Sequence, residues 1–160
     1  MATIQRHRVL AVDDDAGVLR TLQLILEDSG YTVRTAPNGR EALQKLSAEP
    51  VDLVLTDLQM PVMGGLELLS ELRARGLMLP VVFMSAGTNP RARAAACGAD
   101  GYLAKPFDPD TLLELVQKLS ATEGTSVDGR ARSEGAGQRM LAPATPVELV
   151  TQNQRCSAWR

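Results

Sequence analysis

Apolar residues recur along this chain in two alternating periods. Short runs of consecutive apolar side chains at 8–12, 31–35, 51–55, 80–84 and 100–104 predict strands, most of them buried on both faces. Between them the spacing lengthens to that of a helix facing inward on one side. Val18, Leu22, Ile25 and Leu26 share such a face, as do Ala42, Leu43 and Leu46; Leu66, Leu69 and Leu72; and Leu112, Leu115, Val116 and Leu119. A short Ala- and Arg-rich stretch at 91–97 predicts one further helix. Ser29-Gly30, Pro37-Asn38-Gly39, Pro50, Gly64-Gly65, Gly76 and Gly98 punctuate the elements, and Asp108 is placed to cap the last helix.

Strands and helices alternating at this spacing make βαβ units, hence a parallel sheet with right-handed crossovers and helices on both faces. The expected fold is α/β: a flavodoxin-like, doubly wound, five-stranded parallel sheet in the order 2-1-3-4-5. That order sets the first and third strands side by side, with a crevice at their carboxyl ends.

From residue 121 the periodicity stops, and Gly, Ser, Thr, Ala, Pro and Arg dominate. The expected organisation is a single domain at 7–120 with a disordered or partly helical tail at 121–160, in which Leu149, Val150 and Trp159 are candidate anchors for a partner. Aromatic residues make up only 3% of the chain, so the core must be aliphatic. Residues 1–120 carry 15 acidic against 12 basic side chains, a balance of −3, and residues 121–160 carry 4 against 5, a balance of +1. Neither has the strong basic excess of a nucleic-acid surface, so DNA binding is not expected. The apolar run after the basic start is stopped by Asp13, too soon for a signal peptide or a membrane span. Cys97 and Cys156 have no metal-ligand spacing and read as two separate thiols. A cytoplasmic location and no membrane contact are expected.

On the predicted sheet, the strand ends gather Asp13 and Asp14, Asp57, Ser85 and Lys105 at one rim. Three carboxylates in one crevice repel one another unless a cation neutralises them, and an all-oxygen acidic set suits a hard divalent ion such as Mg2+. With such charge compensation the Asp57 carboxylate becomes a plausible nucleophile toward phosphorus, giving an aspartyl phosphate. The Lys105 ammonium and the Ser85 hydroxyl would meet the phosphoryl oxygens. Each residue alone has an ordinary structural reading: Asp15, and also Asp13, as a helix cap, Ser85 as a loop partner, Lys105 as a solvated cation. The joint arrangement carries the inference.

Four stretches, Val12-Asp13-Asp14-Asp15, Thr56-Asp57-Leu58-Gln59-Met60-Pro61-Val62-Met63-Gly64-Gly65, Met84-Ser85-Ala86 and Gly101-Tyr102-Leu103-Ala104-Lys105-Pro106-Phe107, together resemble the receiver domain of two-component response regulators. The resemblance implies that Asp57 is the phosphoacceptor and that Asp13, Asp14, Asp57 and the backbone carbonyl of Gln59 hold Mg2+. It implies that Ser85 and Lys105 sense the phosphoryl group, that the Lys105–Pro106 bond is cis, and that Tyr102 is the switch aromatic. It also implies a sensor histidine kinase or histidine phosphotransfer protein as donor, docking on the first helix. A downstream protein effector would be reached through the face of the 91–97 helix, the fifth strand and the last helix, with a phosphorylation-dependent homodimer as one form of output. Arg91 and Arg93 stand where receivers often have acidic residues, which alters the expected dimer face, and Gly87 and Gln59 flank the site where water access is tuned.

Three rival readings differ in class. The chain could be the receiver portion of a larger regulator whose tail contacts an effector or DNA. It could be a scaffold that works without phosphorylation. It could be a phosphatase with an Asp nucleophile, but such enzymes need a second acid shortly after the nucleophile, and Gln59 stands there. The receiver reading is preferred, and it makes the chain a phosphoacceptor rather than an enzyme acting on a separate substrate.

Overall fold

The computed structural model describes residues 6–86 and 98–121. The expected 91–97 helix, Gly87, both cysteines and nearly all of the tail lie outside the described residues. The elements are β1 (Arg8–Val12), α1 (Ala16–Asp28), β2 (Thr32–Ala36), α2 (Gly39–Ala48), β3 (Leu53–Asp57), α3 (Gly65–Ala74), β4 (Val81–Ser85), β5 (Gly101–Ala104) and α4 (Pro109–Ala121). The five strands form one sheet in the order β2-β1-β3-β4-β5, every pairing parallel. The flavodoxin-like order expected from the sequence is the one observed.

The sheet is apolar on both faces because helices cover both. Leu10, Val12, Val54, Val81 and Phe83 pack against Ala42, Leu43, Leu68, Leu69 and Leu72 of α2 and α3. Val9, Ala11, Leu53, Leu55, Val82 and Met84 pack against Leu22 and Leu26 of α1 and Leu112 and Val116 of α4. Adjacent residues of one strand therefore serve different layers, the period of two that a strand imposes. Each fully buried Leu or Phe contributes about 1.5–3 kcal/mol of transfer free energy.

The strand limits move toward the carboxyl rim relative to the apolar runs. β2 runs one residue later than expected. β3 starts at Leu53 rather than Val51, because Asp52 sits just ahead of the ladder: its carboxylate accepts from the Arg8 amide at 2.7 Å, and its own amide donates to the Arg8 carbonyl at 2.8 Å. β4 starts at Val81, because Pro80 has no N–H and contributes only its carbonyl, which accepts from Val54 at 3.0 Å. At the other end, the polar residues Thr56, Asp57 and Ser85 remain inside their strands. On α3, Leu68 is fully buried and Leu66 only partly so, a rotation of the face expected from spacing alone.

Caps hold three helix starts. Asp15 accepts from the amides of Gly17 and Val18, Asn38 from Glu41, and Asp108 from both the amide and the hydroxyl of Thr111. The Asp108 carboxyl is held below its ordinary range by those two Thr111 bonds. Positive φ at Gly30 and Gly76 lets the chain leave α1 and α3. Among the described residues, no helix is long and apolar enough to cross a membrane.

Val62 is the exception to these local rules. It is the one described residue other than glycine with a positive φ, 71°, although its side chain is β-branched. The left-handed conformation costs an L residue roughly 1–2 kcal/mol, and asparagine tolerates it better. The side chain is 69% exposed and loses little contact on replacement. Val62→Asn is therefore expected to raise stability by about 1 kcal/mol, read as a higher urea midpoint at unchanged slope; a lower midpoint would show that the exposed valine makes a stabilising contact.

Candidate functional site

Parallel strands deliver their carboxyl ends to the same edge, and the switch point between β1 and β3 opens there. Asp13 follows β1 and extends its pairing, donating its amide to the Ala36 carbonyl at 3.1 Å. Its carboxylate is only 1% exposed and is fully engaged: one oxygen accepts from the Asp15 amide at 2.9 Å and the other from Lys105 Nζ at 2.6 Å. Asp14, next in sequence, is exposed.

Asp57 ends β3, paired with Met84 of β4. One carboxylate oxygen accepts from the Leu58 amide at 2.8 Å, and the other lies 3.7 Å from Lys105 Nζ, an ion pair beyond hydrogen-bond length. Burial pushes the Asp57 carboxyl above its ordinary range. The Lys105 ammonium pulls it back, the charge of Asp13 pushes it further up, and the amides of Leu58 and Gln59 pull it down. Ser85, at the end of β4, is buried, and its carbonyl accepts from the Lys105 amide at 2.9 Å. The Lys105–Pro106 peptide is cis, as the resemblance implies.

Ligand atoms of Asp13, Asp14 and Asp57 all lie within 4.8 Å of one another. Three carboxylates against one ammonium leave an uncompensated negative charge, and an all-oxygen set of this size fits a hard divalent cation. Gln59 is exposed at the rim, two residues beyond Asp57. Tyr102 stands opposite Phe83 in the β4–β5 register, half-buried against the α2–α3 core and apart from the carboxylates. The structure thus brings Asp13, Asp14, Asp57, Ser85 and Lys105 together and places Gln59 and Tyr102 around them.

Two contributors escaped the sequence pattern. Thr56 is fully buried, and its hydroxyl donates to the Asp57 carbonyl at 3.0 Å. Gly65 reads in sequence as half of a turn, yet a Cβ built on it would meet the Asp57 carbonyl oxygen at 2.3 Å, so only glycine lets α3 start against the end of β3. A glycine pair soon after a strand-ending Asp was the available signal.

The raised Asp57 carboxyl makes stability depend on pH. A group whose folded-state pKa stands above its unfolded value contributes stability that is full below the unfolded value and is lost as pH rises through the folded one. With divalent cations chelated, Asp57→Asn is therefore expected to be more stable than the parent at pH 7. The difference should shrink as pH falls toward the ordinary aspartate value of 3.8. Denaturant midpoints across pH test this; a constant difference, or one of opposite sign, would contradict the burial of this carboxylate.

The geometry agrees with what the chain is similar to. Residues 9–117 match the response regulator receiver domain family. The DNA-binding transcriptional regulator NtrC of Escherichia coli is 40% identical over 117 residues, which cover 72% of this chain and 25% of NtrC. Response regulator Rre1 of Synechocystis is 41% identical over 130 residues, 78% of this chain and 56% of Rre1. The chain thus spans a quarter to little more than half the length of these two relatives. The crystal structure of response regulator protein TrrA from Thermotoga maritima, in complex with Mg2+-BeF, superimposes with a TM-score of 0.65 at 36% identity, covering 71% of this chain and 98% of TrrA. Motif order, sheet order and rim chemistry all converge with these likenesses: the chain belongs to the response regulator receiver domain family of two-component signalling.

Proposed function

We propose that Asp57 accepts a phosphoryl group from the phosphohistidine of a sensor histidine kinase or a histidine phosphotransfer protein. The observation that carries this reading is the position of Lys105, which rests on Asp13 at 2.6 Å while standing 3.7 Å from Asp57. A carboxylate oxygen of Asp57 forms the new O–P bond as the donor's N–P bond breaks and the imidazole leaves. The product turns one carboxylate charge into a phosphoryl group with greater negative charge. Lys105 then gains a stronger anionic partner within a short swing of its present place, and the Ser85 hydroxyl, at the end of the neighbouring strand, would donate to the same group. Asp13, Asp14, Asp57 and the Gln59 carbonyl would hold Mg2+, which when bound neutralises the carboxylates and offsets charge on the phosphoryl oxygens. The Mg2+-BeF complex of TrrA supports that assignment by likeness.

The reading continues to output. Movement of Ser85 toward the phosphoryl group frees space that Tyr102 can enter, which alters the face that includes β5 and α4 for a downstream protein effector or a second phosphorylated copy. Residues 7–120 act as the receiver and 121–160 as an appended tail, in the cytoplasm. The chain assists its own phosphorylation and dephosphorylation rather than turning over a separate substrate. DNA contact by residues 1–120 is disfavoured by their net negative charge, although NtrC, a relative matched over 25% of its length, is a DNA-binding regulator.

The test is exposure to a small-molecule phosphodonor with and without Mg2+, read by intact mass. The parent is expected to gain one phosphoryl group only with Mg2+, Asp57→Asn none, and Lys105→Met to gain it about 10²-fold more slowly. No gain by the parent, under conditions that modify another receiver, would replace this reading with that of a phosphorylation-independent scaffold.

A further inference from the structure

The amino edge of the sheet, opposite the carboxylates, has a built feature of its own. Between the end of α2 and the turn after α3 lies a recess of about 380 Å3, lined mainly by Leu46, Pro50, Val51, Leu77, Met78 and Leu79, with Ser47 and Glu49 also on its wall. That is near the small end of ligand clefts and has room for a few side chains. Met78 is 74% and Leu77 40% exposed on its rim. This exposure is held in place. The Arg73 guanidinium donates to the carbonyls of Leu77 at 2.7 Å and Leu79 at 3.1 Å, and to Asp100 at 3.2 Å, while the same Asp100 oxygen accepts from the Val81 amide at 2.9 Å. Two large apolar side chains exposed on a braced turn beside this recess offer apolar surface to an occupant.

The chain itself leads there. α4 runs back from the carboxyl rim, and Gly101, the first residue of β5, lies against Leu115 and Leu119 near its end: a Cβ on Gly101 would stand 3.3 and 3.4 Å from their methyl groups. Ala121 therefore leaves the domain at the amino edge, and the sequence continues from 122 to 160. β5 and β3 are two strand spacings apart, about 10 Å, and since α4 and the recess lie on opposite faces of the sheet the path also crosses two helix layers, about 20–24 Å. A random coil of as many residues as 122–145 would have an end-to-end distance of about 25–30 Å, enough for that span. The next residues, Pro146-Val147-Glu148-Leu149-Val150, are an apolar stretch within a largely polar tail.

We propose that this recess is the docking site of the chain's own tail, with Leu149 and Val150 packed against Leu46, Leu77 and Met78. A matched tether gives an effective concentration of order 1 mM, so an intrinsic Kd as weak as about 0.1 mM leaves roughly nine-tenths of the sites filled. The contact lies on the edge away from Asp57 and does not depend on phosphorylation.

The full chain carrying Cys97→Ala, spin-labelled on Cys156, tests this by NMR. The amide signals of Leu46, Val51, Leu77 and Met78 are expected to lose most of their intensity, while those of Asp14 and Gln59 at the opposite rim keep theirs. Leu149→Asp with Val150→Asp, and separately Met78→Asp, should restore the lost signals. Broadening that is uniform, or that persists in these variants, would overturn the proposal. So would broadening that appears only between spin-labelled and isotope-labelled molecules in a mixture, which would make a second copy the occupant.

Discussion

The buried ion pair between Lys105 and Asp13 is the interaction on which the rest of the rim depends. It joins residues 92 apart in sequence at 2.6 Å, across the two strands that separate β1 from β5. Asp13 is almost wholly removed from water, and a carboxylate in that position is tolerable only when paired and hydrogen-bonded. Lys105 supplies the charge and the Asp15 amide supplies the second bond. Removing Lys105 would leave the buried Asp13 charge without its cation, whereas Lys105 itself keeps Asp57 and some solvent. Asp57 then stands beside an ammonium already committed to another carboxylate, which is why it retains an available oxygen rather than a closed salt bridge.

This placement is precise because the platform is stiff. Two apolar layers clamp the sheet, and β4 is buried from end to end, β1 and β3 at all but one terminal residue. Interiors packed in this way do not deform gradually, so a change at one strand end is passed on as a choice between discrete arrangements. Tyr102 belongs to the layer that packs under α2 and α3, while Lys105, three residues on, belongs to the rim. A single short strand thus joins the crevice to a helix-covered face.

Much of this was legible in the sequence, and the misses share a physical cause. The strand order, the caps at Asp15 and Asp108, and the convergence of Asp13, Asp14, Asp57, Ser85 and Lys105 follow from period, turn chemistry and strand direction. The apolar runs mispositioned three strands because a ladder is built by backbone groups. Pro80 is apolar but has no amide to give, whereas Thr56, Asp57 and Ser85 are polar yet keep strand pairing. The face of α3 was turned because Gly65 brings the start of the helix against Asp57, a tertiary contact that spacing does not contain. Nor does composition reveal that Arg73 braces the turn bearing Leu77 and Met78; an arginine at a helix end reads as an ordinary solvated charge.

The connection after β3 shows how the neighbourhood of Asp57 is enforced by backbone more than by side chains. On one side Gly65 donates its amide to the Leu58 carbonyl at 3.1 Å and leaves no space for a Cβ. On the other, the Gly39 amide at the start of α2 donates to the Met63 carbonyl at 3.0 Å, and a Cβ there would strike the Met63 side chain at 2.7 Å. The chain between these clamps is too short to relax, and Val62 takes a left-handed conformation that its side chain disfavours. Strain of this kind persists only where the surroundings over-determine it. The backbone near Gln59 is therefore set by two glycine contacts and a strained valine, so exposed side chains along this loop can vary without moving the atoms that face Asp57.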